Sequence, residues 1–203
     1  MKLYYSPGAC SLSPHIVACE AGIPIELEKV DLAKHKTEGG QDYYLTVNPK
    51  GYVPALRLDD GSVLTEGPAI IQYLADQKPA SALAPSAGTI DRYRLQEWLT
   101  FIGTEIHKSF SPLFNPASSD DVKKTARTAI GTRLAYLNDQ LAKRQFLMGD
   151  NFTVADAYAF TIVNWTNFVK IDLKTYPNIV TYMSRISGRP KVLEALKAEG
   201  LAK

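Results

Sequence analysis

The chain has 203 residues, 45% hydrophobic and 22% charged, with a formal net charge of +2. That length holds one large domain or two small ones, and 23 basic against 21 acidic residues, evenly spread, leave no basic patch for nucleic acid. Two cysteines and three scattered histidines argue against a disulfide framework and a structural metal site, and no apolar run approaches the ~20 residues of a membrane span.

The opening Met-Lys-Leu-Tyr-Tyr-Ser-Pro-Gly lacks the apolar core of a signal peptide, so a cytoplasmic protein is expected. Lys2–Tyr5 is a short β-type run, broken by Ser6-Pro7-Gly8. A helix follows, starting near Cys10 or Ser11 because Pro14 fits only the first turn, and ending at Gly22. Ile25–Val30 reads as a second strand with Ile25, Leu27 and Lys29 on one face. Asp31–Gln41 is polar and glycine-punctuated, a loop or irregular helix. Beyond Val53-Pro54, strands Ala55–Leu58 and Ser62–Thr65 flank Asp59-Asp60-Gly61, a hairpin signal. Glu66-Gly67-Pro68 opens a helix carrying Ile70, Ile71 and Leu74, with proline where its missing N–H costs nothing. The order β-α-β-(α)-β-β-α is the thioredoxin-like arrangement, a mixed sheet covered by helices.

A linker rich in Pro, Ala and Ser, 81–88, separates this domain, 1–80, from an all-helical one, 89–203. Its first helix is expected as a single span, Thr89–Phe110, with Leu95, Leu99, Ile102 and Ile106 on the apolar face. Ser118 or Ser119 caps the next, and Thr153 with Asp156 forms a capping box. Tyr176-Pro177 and Pro190 start the last two.

Cys10 is the sharpest chemical candidate. A thiol at a helix start meets the positive end of the helix dipole, which favours thiolate. Ser13 stands where a Cys-x-x-Cys partner would be, so a monothiol is expected; the plain alternative is a buried small side chain. Cys19, in mid-helix, is expected in the core. Thr100, Gly103, Thr104 and His107 share one helix face, a polar stripe that packing does not need; His107 could there donate a hydrogen bond or shuttle a proton. Tyr5 and Ser11 flank the Cys10 loop with hydroxyls, though strand tyrosines usually pack and serines usually cap. His15 is expected on an ordinary helix surface. Glu66 beside free N–H groups at a helix start suits a small zwitterionic ligand.

Tyr4–Ser11, Val47–Leu56, Leu64–Gly67, Glu105–Lys108 and Phe152–Asp156, in this order and spacing, resemble the cytosolic glutathione transferases, and within them the bacterial beta class. The resemblance spans essentially the whole chain. It implies a cis Val53-Pro54 bond, with the Val53 backbone pairing the cysteinyl unit of glutathione as an added strand would. It implies that Glu66 and Gly67 hold the γ-glutamyl group, and that a basic side chain, His35 or Lys36, meets the glycyl carboxylate. Thr100 stands where the class usually carries Asn and reaches the neighbouring subunit's site. Thr104, Glu105 and His107 match the class at the cleft wall, and Phe110 and Phe114 are expected in the electrophile pocket. The implied protein is a homodimeric detoxifying transferase with glutathione as co-substrate, a small apolar electrophile as second substrate and no metal. The rival activity is thiol-disulfide exchange or reductive dehalogenation through a Cys10–glutathione disulfide. A non-enzymatic ligand-binding protein is the third reading.

Overall fold

The computed structural model of the protein describes Met1–Ala202. The chain divides into two compact units, one of Met1–Ala84 joined by the residues from Arg189 onward, the other of Pro85–Gly188. The sequence boundaries had assigned everything after the linker to the helical domain. The last helix instead packs on the first one of the N-terminal unit, and Arg189 clamps Glu20 there with Nε and Nη2 at 2.7 and 2.8 Å.

In the first unit the elements run β1 (Lys2–Tyr5), α1 (Leu12–Ala21), β2 (Glu26–Asp31), β3 (Lys36–Thr37), α2 (Tyr43–Thr46), β4 (Ala55–Arg57), β5 (Val63–Thr65) and α3 (Gly67–Gln77). The sheet order is β3-β2-β1-β4-β5, with β1 parallel to β2 and every other pair antiparallel. It is the mixed sheet expected of a thioredoxin-like domain. Central Leu3 and Leu56 are fully buried, as are Ile16 of α1 and Ile70, Ile71 and Leu74 of α3. Tyr4, Val30, Tyr43, Val47, Val53 and Ala55 form a second cluster, into which Tyr43 packs its ring 5.6 Å from that of Tyr4.

Two local expectations change. Asp31–Gln41 is neither a plain loop nor a helix, because β3 returns along β2 with Val30 opposite Thr37. Asp31 makes the return possible by accepting the N–H groups of Ala33 and Lys34. On β2 itself Val30 is the buried residue and Lys29 is exposed, opposite to the face read from alternation. Helix α1 ends as expected at Gly22, whose φ of 63° is the left-handed cap that glycine adopts without strain.

The second unit holds α4 (Ile90–Phe101), a π-helical stretch (Ile102–His107), α5 (Lys108–Phe114), α6 (Asp120–Gln140), α7 (Val154–Val169) and α8 (Pro177–Ser187). The expected single helix is thus interrupted. Lys108 N–H reaches back five residues to Gly103, and this wider turn rotates everything after it relative to an α-helical register. Ser119 caps α6 by accepting from Val122 N–H. Helix α7 is buried almost all round, and Asp156, fully buried, accepts from Thr153 N–H, Leu147 N–H and the Tyr182 hydroxyl. Helix α9 (Pro190–Ala198) belongs to the first unit. Among the described residues no helix is long and apolar enough to cross a membrane.

Candidate active site

The first unit gathers three chain segments at one place. The start of α3 lies against the other two. A Cβ on Gly67 would stand 3.8 Å from Pro54 and 4.0 Å from the Ser13 hydroxyl, so the two helix starts and the Val53–Pro54 bond, which is cis, converge.

At the first helix start Cys10 is half-buried and its thiol donates to the Val53 carbonyl at 3.2 Å. The expected thiolate is not what this environment favours. Burial pushes the thiol up to about 12, and the Glu66 charge adds to it, against the smaller opposing pull of the Cys10 and Ser11 backbone N–H groups. Two helix-start amides do not outweigh desolvation. Cys10 is therefore a neutral donor at neutral pH.

Its neighbours are held by a network that the sequence did not reveal. Ser11, fully buried, accepts from Ser6 N–H and donates to Ser6 O, so its hydroxyl is spent on the turn that carries Cys10 and is not presented to a ligand. This corrects its candidacy as a catalytic group. Gly8 N–H is held by Glu199 Oε2 at 2.9 Å, and Glu199 Oε1 lies 2.9 Å from His15 Nδ1. His15 is 4% exposed, not on the helix surface expected for it. Burial works against its charge, but hydrogen bonds to Cys19 and to the Glu199 carboxylate prevail and raise it to about 9. Tyr5 packs its ring 6.4 Å from that of His15, and burial, then the charges of Glu199 and Glu38, raise its phenol. It therefore stays protonated at neutral pH.

The second segment is the loop Asn48–Tyr52. Asn48 and Tyr43, both buried, donate to Tyr52 O at 2.7 and 3.0 Å, and Asn48 Oδ1 takes Lys50 N–H. The loop is rigid for that reason. Gly51 sits at φ 77°, where a Cβ would press on the Tyr44 ring at 3.2 Å and on His35 at 3.4 Å. His35 thus lies against this loop, its ring 5.8 Å from that of Tyr44, while Lys36 stands on the β3 ladder, and both are exposed.

The third segment is Glu66, a non-glycine residue at φ 70° that turns β5 into α3. Lys50 Nζ contacts Glu66 Oε1 at 2.6 Å and Thr65 Oγ1 at 2.9 Å, and the Tyr52 hydroxyl reaches the same carboxylate oxygen at 3.3 Å. Lys50 and Tyr52 escaped the sequence reading. The only available signal was a cation one residue before Gly51 in a loop already suspected of binding. Among the described residues, the amide N–H groups of Val53 and Gly67 have no acceptor.

The other candidates lie in the second unit. The π-helical turn divides the expected stripe. Thr100 and Thr104 are exposed and joined by a Thr104 hydroxyl to Thr100 carbonyl bond at 2.9 Å, while Gly103 and His107 turn inward toward Tyr158. His107 Nδ1 is 2.7 Å from the Tyr158 hydroxyl, and its ring stands edge-on to Trp165 at 4.8 Å. One Glu105 oxygen takes both Nε and Nη2 of Arg133 at 2.8 and 2.7 Å. Phe110 is fully buried against Trp165, so it supports a pocket and does not line one; Phe114, 47% exposed, presents a ring. Among the described residues no group of three or more His, Cys, Asp or Glu could hold a metal ion.

Comparison with known proteins identifies the family of the fold. The family model described as glutathione S-transferase, N-terminal domain, matches residues 8–77, and that for the C-terminal domain matches residues 101–190. The chain is 48% identical over 201 residues to glutathione S-transferase GstA of Escherichia coli O157:H7, covering 99% of this chain and 100% of that one. It is 35% identical to glutathione S-transferase GST-4.5 of Xanthomonas campestris, again over 99% and 100%. Among solved structures it resembles a ternary complex of BphK, a bacterial GST, with 57% identity, a TM-score of 0.97 and coverage of 99% and 100%. A sphingomonad glutathione S-transferase complexed with glutathione is 52% identical, with a TM-score of 0.95 and full coverage of both chains.

Proposed function

The chain belongs to the glutathione S-transferase family, and we propose that it conjugates the thiolate of glutathione to small apolar electrophiles in the cytoplasm. The observation that carries this reading is the convergence in the first unit. An unpaired Val53 N–H just before β4, an unpaired Gly67 N–H at the start of α3 and the Glu66 carboxylate lie near the Cys10 thiol. That set matches an extended tripeptide with an ammonium and a carboxylate at one end and a thiol in the middle. His35 or Lys36 is left for the glycyl carboxylate, and the position of His35 beside Gly51 favours His35.

The chemistry follows from the protonation states. Free glutathione at pH 7 is mostly thiol, so lowering its pKa by about two units supplies nearly the full gain in nucleophile. A neutral Cys10 serves this purpose as a donor when its single S–H turns from the Val53 carbonyl to the glutathione sulfur, because a Cys10 thiolate would repel the glutathione thiolate. The glutathione thiol releases its proton to solvent, the thiolate attacks the electrophilic carbon, and the leaving group departs with its electron pair. Within the helical unit, Phe114 presents an exposed ring and His107 pairs with the Tyr158 hydroxyl. Steady-state conjugation of an activated aryl halide tests the reading; a rate no greater than the uncatalysed background refutes it.

A second activity is favoured by the Cys10–Val53 contact, which puts a thiol where the cysteinyl unit of the tripeptide would pair. After its thiol loses the proton to solvent, a step favoured by raised pH, Cys10 would attack glutathione disulfide, forming a Cys10–glutathione disulfide and expelling glutathione thiolate. A mass increase confined to Cys10 after exposure to glutathione disulfide tests it.

We also propose that the protein works as a homodimer. A groove of about 1010 Å³ in the second unit sets Trp98, Phe101 and Tyr136 among Arg94, Glu97, Glu105 and Arg133. Aromatic centre and alternating charges form a surface that complements its own copy under a two-fold axis. Light scattering would give twice the chain mass, and Trp98→Ala would lower it.

A further inference from the structure

Glu66 is not waiting empty for an ammonium: an internal one occupies it. Lys50 Nζ sits 2.6 Å from Glu66 Oε1, with Thr65 Oγ1 as its second acceptor at 2.9 Å and Tyr52 donating to the same carboxylate oxygen. Ordinary surface pairs of this kind join two mobile side chains. Here the Lys50 backbone is fixed by Asn48 Oδ1, the loop is pinned through Tyr52 O by buried Asn48 and Tyr43, and the Glu66 backbone is held at φ 70° by its place between β5 and α3. Two rigid supports therefore aim one ammonium at one carboxylate.

Resting on the proposed glutathione reading, we infer that Lys50 is an internal competitor for Glu66. It occupies the position of a γ-glutamyl ammonium and yields it when the tripeptide binds. The exchange swaps one ammonium for another on the same oxygen, and Lys50 is half-exposed, so it can swing into water. The consequence is selectivity. A ligand whose ammonium arrives on a scaffold that also satisfies the Val53 and Gly67 amides displaces Lys50. A stray monoamine must compete with Lys50 and brings nothing else. A tripeptide without the ammonium leaves Lys50 in place. Exposed ion pairs are weak, so the competition is worth a small factor, about three- to five-fold in affinity.

The test is calorimetric titration of S-methylglutathione, which cannot react at sulfur, into the full-length protein and its variants. Lys50→Met is expected to tighten binding about three- to five-fold. The same substitution in a Glu66→Gln background is expected to move the dissociation constant less than two-fold, because the contested charge is gone. The analogue with glutaryl in place of γ-glutamyl is expected to bind wild type and Lys50→Met alike. Weaker binding by Lys50→Met would overturn the inference and make Lys50 a direct contact, and so would tightening that persists in the Glu66→Gln background. Unchanged binding in the single variant would overturn it too. Absence of binding to wild type and Lys50→Met alike would refute the glutathione reading itself, and this inference with it.

Discussion

His15 Nδ1 and Glu199 Oε1 lie 2.9 Å apart in the interior of the first unit, and the other Glu199 oxygen holds Gly8 N–H in the turn before Cys10. A residue near the end of the chain thus shapes the loop at its beginning. Each carboxylate oxygen has one partner, and the side chains of the pair are 5% and 0% exposed.

The pair makes stability depend on pH. His15 is raised to about 9 in the folded protein, above the ~6.5 of an unfolded histidine, so the native state holds more protons between those values. Its contribution, about 3 kcal/mol from that difference, is complete below pH ~6.5 and lost as pH rises through about 9. Urea midpoints from pH 6 to 9.5 are expected to fall across this window. In Glu199→Gln the fall is expected to flatten.

Glu66→Gln keeps the shape of the residue and removes its charge. The loss of a charge-assisted bond to the ligand ammonium, about 1.5–3 kcal/mol, is expected to weaken glutathione binding by roughly 10- to 100-fold. Unfolding temperature is expected to move little, because both charges of the Lys50–Glu66 pair are about half-exposed. Calorimetry and thermal denaturation read the two effects separately.

Cys10→Ala separates the two activities. As a neutral donor Cys10 supplies one hydrogen bond, so conjugation is expected to drop by only about three- to ten-fold in kcat/KM. Adduct formation with glutathione disulfide is expected to vanish. A conjugation loss beyond 1000-fold would show that Cys10 does more than donate.

Asp156→Ala would strand Thr153 N–H, Leu147 N–H and the Tyr182 hydroxyl, all buried with their acceptor. A loss of about 3–5 kcal/mol is expected from denaturant unfolding, with Asp156→Asn less affected because it keeps one acceptor oxygen. Burial raises Asp156 to about 6, against the bonds from Leu147, Thr153 and Tyr182.

The hairpin, the glycine cap of α1, the Ser119 cap and the Thr153–Asp156 box were legible because each depends on residues within four positions of one another. Convergence of Val53–Pro54 with the Glu66–Gly67 helix start was legible from a proline-opened strand, a carboxylate and a helix start close in sequence, and the resemblance of the whole motif set supplied the ligand. What escaped the sequence has physical reasons. Helix α1 is buried along most of its length, so the hydrophobic periodicity that distinguishes an inner from an outer face is missing, and His15 was read as a surface residue. Its partner Glu199 is 184 positions away, beyond any local pattern. The π-helical turn uses the same residue types as an α-helix, so nothing marked the point where the Thr100–His107 stripe divides. The dipole argument for Cys10 was sound in sign, but desolvation is larger, and burial is not readable from position alone.

The central claim is that glutathione binds along Val53 and the start of α3. Titration of glutathione into isotopically labelled protein, followed by amide resonances, measures it directly. The account predicts the largest shifts at the Val53 and Gly67 amides, saturating together, and their loss or strong weakening in Glu66→Gln. Binding that leaves both amides unmoved, or shifts confined to other parts of the chain, would contradict it.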